Sequence, residues 1–508
     1  MSSQMCIIVA ILAYLVLMLC VGWYFSNRNK TTDDFYLGGR KLGPFVVAMS
    51  AEASDMSSWL LMGLPGLAYL TGICDPGWTA IGLAIGTYLN WLLVARKIRL
   101  YTHATNSITL PSFFSNRYGD KKSVLAGIAA VIIIIFFIPY TASGFAACGK
   151  LFHSMFGIDY TVAMVACAII IILYCAMGGF MAASTTDLIQ SIVMSIALVS
   201  IVVYGVHTAG GMDVVIENAK SMPGYLSMLS THSAETGEAQ PYGLLSIASI
   251  LAWGLGYFGM PHILLRFMAI EDENKLKLSR RVATVWVVIA MGVAILIGII
   301  GSALTKVGAL GALDGSDSET IIVRIADLIS QHGVLAALLC GVILAGILAA
   351  TMSTSDSQLL TAASGVSENI FGDILHIKMD EKKKLLVARA TLVVIAVIAV
   401  FLARDPNSSV FRIVSFAWAG FGATFGPVVL LALFWKRSNM YGALCGMVSG
   451  GIMVFLWKFV ISTLGGVFAI YELLPAFVIA LVVNIVVSLI TPAPSQEIQD
   501  TFESVKKM

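Results

Sequence analysis

Residues 50–66 read SAEASDMSSWLLMGLPG, and residues 254–261 read GLGYFGMP. Each places Gly and Pro inside an apolar segment long enough to cross a bilayer. The first also carries two carboxylates, Glu52 and Asp55. Interrupted helices are tolerated at membrane depth only where protein or a water-filled cavity satisfies the freed backbone. The two breaks fall in the second and seventh of the spans counted below, so the spans that hold them run in opposite senses. Paired interrupted spans in two halves of a chain are the pattern of an inverted-repeat transporter. Spans 2–6 would form one repeat and spans 7–11 the other, with the first break expected at MGLPG, residues 62–66. Gly and Pro also kink ordinary membrane helices, and spacing alone leaves that reading open.

The rest of the chain fits a membrane setting. Of 508 residues, 58% are apolar and 12% charged, and the mean hydropathy is +0.89, against about a quarter charged in soluble domains. Long continuous apolar runs indicate helices rather than a β-barrel. A net charge of +2 offers no basic face for nucleic acid. The eight cysteines have no paired spacing and read as small packing residues. The N-terminus has no basic leader or cleavage motif, so its apolar run is read as a first transmembrane helix.

Thirteen spans are expected, near 6–26, 44–70, 78–98, 124–148, 160–177, 186–207, 241–265, 282–305, 325–362, 386–403, 408–435, 440–462 and 473–491. The ninth is longer than one crossing and is expected to begin with an external helical piece. With the N-terminus outside, the inner loops and span ends hold 24 of the 31 Lys and Arg residues, including Arg28, Lys30 and Lys378. That bias sets N outside and C inside. The chain divides into a first helix and loop (1–43), repeat one (44–207), repeat two (241–435), two peripheral helices (440–491) and a cytoplasmic tail (492–508). The tail is too short for a signalling module, which argues against a sensor. Two broken helices do not suggest the repeated rings of a channel.

Few ionised groups belong in a span without a function. Asp55, Asp187 and Asp356 stand out. Sodium wants hard oxygen ligands, which an unwound helix supplies as carbonyls and a neighbouring helix as hydroxyls. Thr351, Ser353 and Thr354 are such hydroxyls, although small and hydroxyl residues also line ordinary helix interfaces. Trp253 and Tyr257 are four apart beside the second break, with Phe258 and Tyr140, and suit a pocket for a small, partly apolar solute. His262 reads as a structural group. No Walker loop or enzyme constellation appears.

The segments DDFYLGGRKLGPFVVAMSAEASDMSSWLLMGLPG, WGLGYFGMPHILLRFM, ILAATMSTSDSQLL and FAWAGFGATFGPVVLLALFW resemble the sodium:solute symporter family, and within it the bacterial sodium/proline symporters. The resemblance runs from about residue 30 to 450. It implies an all-α polytopic protein with a LeuT-type core of two inverted five-helix repeats. It further implies sodium-coupled symport of L-proline in a bacterial-type cytoplasmic membrane, with sodium as co-transported ion and no other cofactor. The alternative is another small solute: a different amino acid, pantothenate or a short carboxylate. Carried over by position, Asp55 is the sodium carboxylate. The carbonyls of Ala53, Met56 and Ala350, with the hydroxyls of Ser353 and Thr354, form the principal sodium site. Ser57, Tyr140, Trp253, Tyr257 and Pro261 bind the solute, with Ser58 close to it. Arg40 and Asp187 serve coupling and sodium release. The chain departs from the family pattern at Glu52 and Ser58, where glycine is usual, at Met260, where glutamine is usual, and at Asp356, where a small residue is usual. Glu52 and Asp356 are therefore candidates for a second cation or proton site, or for pairing with a base. For Glu52 a water-filled cytoplasmic vestibule is the plainer expectation.

Overall fold

Helices make up nearly all of the computed structural model, which describes residues 2–26, 31–377 and 379–508. Among the described residues the only sheet is a hairpin of Ser230–His232 against Ala239–Pro241, in the long polar loop after residue 208. Arg28, Lys30 and Lys378, counted above for orientation, lie outside the described residues.

Among the described residues ten helices are long and apolar enough to cross a membrane, and an eleventh crossing is the bent pair Leu244–Gly259 and Pro261–Ala269, which meet at 47°. Their outer faces carry exposed Leu12, Val199, Ile289 and Val482, as lipid contact requires. The chain is a multi-pass membrane protein. Two of the expected segments take special forms. Residues 44–71 are helical but interrupted, as Pro44–Ser58, a wide π-type turn at Trp59–Gly63, and Leu64–Thr71. The helix Tyr160–Thr208 has 49 residues, which at 1.5 Å per residue is far more than the roughly 30 Å hydrocarbon core. It is two segments, divided at Gly179, whose φ of 63° and ψ of −176° leave the helix.

One expectation about an element needs correction. The first broken helix does not break at 62–66. Gly63 and Leu64 keep helical angles, because Pro65 sits at the start of a new helical run and the wide turn before it removes the need for its missing N–H. The departure is at Ser57, with φ 35° and ψ −172°. The ninth segment, placed over 325–362 above, begins with a helical piece of its own, as expected. A separate amphipathic helix, Ile321–Ser330, ends before Gly333 (φ 100°), and the crossing helix is Val334–Ser364, extended by a π-type stretch at Gly365–Ile374.

The two broken helices lie side by side with the long helices at the centre of the bundle. Glycines permit the closest approach. A Cβ on Gly86 would stand 2.4 Å from Gly254, and one on Gly256 would stand 1.9 Å from the Trp418 indole nitrogen. The helix Cys74–Ala104 and the helix Val410–Phe434 thus press directly on the second break. At the opposite end of the core, Leu42 and residues 269–271 form a β-bridge, with Leu42 N–H donating to Ala269 O at 3.2 Å and Glu271 N–H to Leu42 O at 3.0 Å. This ties the segment before the first broken helix to the end of the second. All eight cysteines are free.

Candidate functional site

The site begins at the kink. Ser57 holds a positive φ, uncommon for a residue with a side chain, and its Oγ accepts the Trp59 N–H at 3.1 Å. Just before the kink, the first broken helix faces Val334–Ser364. Ser353 Oγ donates to Ala53 O at 2.8 Å and contacts Ala350 O at 3.1 Å, and Thr354 Oγ1 also donates to Ala350 O at 3.1 Å. Four of the expected ion ligands, Ala53, Ala350, Ser353 and Thr354, therefore meet. The set is chemically apt for a hard monovalent cation, because the hydroxyls need only turn their protons away to present oxygen. Met56 is set apart by a bond of its own, its carbonyl accepting the Trp59 N–H.

Asp55 turns to the other side. Its Oδ2 accepts the Tyr257 hydroxyl at 2.5 Å, and its carbonyl accepts the Tyr140 hydroxyl at 3.2 Å. The carboxylate thus joins the first kink to the second break rather than touching the Ser353–Thr354 hydroxyls. Between the two breaks is a cavity of about 10 Å³ lined by Asp55, Met56, Trp59, Tyr140, Trp253 and Trp418, among others. That is at most about the size of one water. Trp59 and Trp253 close it, with ring centroids 5.7 Å apart, and Phe411 packs on both at 6.1 and 5.6 Å. Trp418 fixes Trp253 by donating its indole N–H to the Trp253 carbonyl at 2.8 Å.

Of the expected solute residues, Tyr140 and Trp253 line this cavity and Tyr257 reaches it through Asp55. Ser57 shapes the kink. Ser58 is buried with its Oγ unpartnered, and Pro261 starts the helix Pro261–Ala269; neither lines the cavity. Sequence reasoning missed Trp59, Phe411 and Trp418. Trp59 stands two residues after Ser57, and its aromatic character beside a break was the available signal.

The acids form two separate groups. Asp187 Oδ2 accepts from Ser50 Oγ at 2.6 Å and from Arg266 Nη2 at 3.1 Å. Arg266 makes three further bonds: Nε reaches Ser50 Oγ at 2.9 Å, Nη1 the His262 carbonyl at 2.9 Å and Nη2 also Ser357 Oγ at 2.5 Å. Ser357 Oγ in turn contacts Asp356 Oδ1 at 3.0 Å. Thr186, next to Asp187, bonds to the Tyr174 hydroxyl. Arg266, counted in the sequence only as an orientation charge, is the base of this group. Glu52 belongs to the other group. It is 1% exposed, so no vestibule surrounds it in this conformation. Trp91 Nε1–H donates to its Oε1 at 3.1 Å, and Oε2 has no partner.

Arg40 lies outside the spans, at the end carrying the β-bridge. Its guanidinium donates to Met268 O at 2.8 Å, Ser107 O at 2.7 Å, and Thr102 Oγ1 and O at 3.3 and 3.2 Å. Burial, aided by the Arg99 charge, lowers its pKa to about 10. It stays cationic at neutral pH and locks three segments together.

Two kinked helices around an oxygen-lined ion cradle and a small aromatic cavity define an alternating-access membrane carrier. The chain belongs to the sodium:solute symporter family, whose model matches residues 35–450. It is 38% identical to the osmoregulated proline transporter OpuE of Bacillus subtilis, over 99% of this chain and 98% of that one. It is 41% identical to a sodium/proline symporter of Haemophilus influenzae, over 97% and 96% of the two chains. The Escherichia coli sodium/proline symporter matches at 38%, over 97% and 95%. Among solved structures, a sodium-coupled sialic acid symporter in a substrate-bound outward-open state superposes with a TM-score of 0.78 at 19% identity, over 97% of this chain and 99% of that one. The fold is therefore the LeuT-type all-α architecture expected from the sequence. The chain is a transporter rather than an enzyme.

Proposed function

We propose that this chain carries L-proline across the bacterial cytoplasmic membrane together with sodium, by alternating access through thirteen crossings, with N outside and C inside. The observation that carries the reading is the meeting of Ala53 O, Ala350 O, Ser353 Oγ and Thr354 Oγ1 at the kink, beside an aromatic cavity. It occurs in a chain 38–41% identical to the proline transporters above. Sodium is the co-transported ion, held by those oxygens, and the Met56 carbonyl joins them only by giving up its bond from the Trp59 N–H. Asp55 adds negative charge one step away and passes ion occupancy to the second broken helix through Tyr257. The solute takes the space between Trp59, Tyr140 and Trp253 once these rings part, its carboxylate at the exposed amides of a half-helix. Asp187, Arg266 and Asp356 form the coupling group on the far side of the ion, and Arg40 serves closure.

The deciding experiment is labelled proline uptake by the purified chain in proteoliposomes. Accumulation against a gradient with inward sodium, and none without it, is the expected result. Facilitated equilibration without sodium dependence would overturn the reading. A second solute is favoured by the departures at Ser58 and Met260. Competition of proline uptake by other amino acids, pantothenate and short carboxylates separates the two, since a competitor stronger than proline would name the preferred solute.

A further inference from the structure

Two hollows of about 510 and 490 Å³ adjoin between the second half of the helix Tyr160–Thr208 and the helix Leu276–Lys306. Each falls in the range of about 300–1,000 Å³ in which proteins hold small ligands. Met49, Ser195, Val199 and Trp286 belong to both, and Trp286 Nε1–H donates to Ser195 Oγ at 3.0 Å in the shared wall. Val285 and Ile289 line the first hollow, Ile192 and Ile196 the second, and all four are exposed. An exposed aliphatic rim at membrane depth meets hydrocarbon, so its occupant is an acyl chain and not an aqueous solute. Two adjoining hollows suit an amphiphile with two chains.

The groove also has a charged end. Arg281 lines the first hollow near the start of its helix; it is exposed and makes no hydrogen bond or ion pair among the described residues. Lys277 lies one turn before it on the same face and is also exposed. Arg280 is taken up by Tyr88, with its guanidinium 5.2 Å from the ring centre. The acids of the preceding loop are engaged elsewhere. Glu271 pairs with Lys275 at 2.7 Å, and Asp272 and Glu273 lie by Arg99. Two uncompensated cations therefore border an apolar groove, at the end of the bundle that carries Arg40. A guanidinium matches phosphate in a two-pronged contact, and basic side chains at this depth attract anionic headgroups. The first broken helix contributes Met49 to both hollows, next to Ser50, whose hydroxyl holds Asp187 and Arg266. Chains seated in the groove rest on the part of that helix that carries this group.

We propose that this groove binds a two-chain anionic phospholipid, its phosphate on Arg281 with Lys277 alongside and its chains in the two hollows beside Trp286. Bound there, the lipid holds the first broken helix in the position seen here. The site depends on neither the solute nor the ion assigned above.

The test uses the purified full chain in detergent micelles, with added phosphatidylglycerol or phosphatidylcholine carrying brominated chains, which quench tryptophan on contact. The Trp286 signal is the difference between the wild type and Trp286→Phe. Phosphatidylglycerol should quench it at least about fivefold more readily than phosphatidylcholine. Arg281→Gln should cut that preference about fivefold, the worth of one basic side chain beside an anionic headgroup. Phosphatidylglycerol should also raise the thermal midpoint of the wild type more than phosphatidylcholine does, because a ligand of the folded state stabilises it. Equal quenching by the two lipids means ordinary annular contact and overturns the proposal. A preference that survives Lys277→Gln with Arg281→Gln overturns it too. So does a Trp286 signal that neither lipid quenches, the result if a second copy or another protein covers the groove. If Trp286→Phe does not fold, equal stabilisation of the wild type by the two lipids decides against the site.

Discussion

Arg266 holds several elements of the core together. Its guanidinium spans Ser50, His262, Asp187 and Ser357, so four helices meet on one planar group. A lysine has one donor centre and cannot reach all four directions. We expect Arg266→Lys to destabilise the purified chain, and Asp187→Asn to cost about 3–5 kcal/mol by leaving the guanidinium underpaired in a dry site. Thermal unfolding in detergent reads both. The double change Asp187→Asn with Arg266→Gln should recover part of the loss, because the guanidinium is no longer underpaired, and only part because Asp356 then loses the base it shares through Ser357. Tyr257→Phe tests the neighbouring group. It removes the 2.5 Å donor to Asp55 while keeping the ring, and should weaken apparent sodium affinity about tenfold, the value of one charge-assisted hydrogen bond. Equal sodium affinity in the variant would mean that Asp55 does not report ion occupancy through Tyr257.

Arg266 also marks what was legible beforehand. Its place in RFM was visible, but a positive residue near a span end reads first as an orientation signal, and only packing turns it inward beneath Asp187. The meeting of Ala53 and Ala350 with the hydroxyls at 353–354 was legible through the resemblance alone, since hydroxyls on a helix fit an ordinary helix interface equally well. The side Asp55 faces was not, since that depends on where the helix breaks. Pro and Gly at 62–66 advertise a break that a π-type turn absorbs. Ser57 adopts a positive φ that no composition rule assigns to serine.

At the scale of elements, the two broken helices are held by contacts that tolerate no added atoms. The Gly86–Gly254 crossing and the Gly256–Trp418 contact bring backbone or ring within 2.4 and 1.9 Å of a would-be Cβ. We expect Gly86→Val to separate the helix Cys74–Ala104 from the second break and abolish uptake. Gly256→Ala should displace Trp418, break its bond to the Trp253 carbonyl and lose at least about 1–3 kcal/mol, the cost of overpacking. By contrast Pro65→Ala should leave uptake within about twofold, since the turn that accommodates Pro65 accepts an N–H equally well and the backbone effect of a Pro-to-Ala change at a compatible site is about 1 kcal/mol or less. A large loss in Pro65→Ala with normal activity in Gly86→Val would return the functional break to residues 62–66.

Across the whole molecule, the cavity is closed from both directions by unlike devices. On one side Trp59, Trp253 and Phe411 stack beneath a recess of about 430 Å³ that Gly63, Leu67, Glu319 and Ser409 help to line. On the other, Arg40 and the Leu42 bridge clamp the ends of both broken helices. The first closure is apolar stacking and the second is hydrogen bonding from a charged group, so each can be weakened alone. A cysteine at Tyr140, in a chain freed of its native cysteines, should be nearly inert to a membrane-impermeant thiol reagent from either side. Adding Phe411→Ala should raise labelling only from the recess side, which the charge bias places outside. Adding Arg40→Ala removes several bonds to carbonyl and hydroxyl oxygens worth roughly 2–3 kcal/mol together. It should therefore raise the share of the oppositely open state, and labelling from the inner side, by about 30-fold to 150-fold. Sodium should oppose the Arg40→Ala effect, because the ion draws Ala53 and Ala350 together at the kink. If both variants label from the same side, the two closures belong to one gate, and the assignment of inner and outer faces made from the basic residues is reversed for one of them.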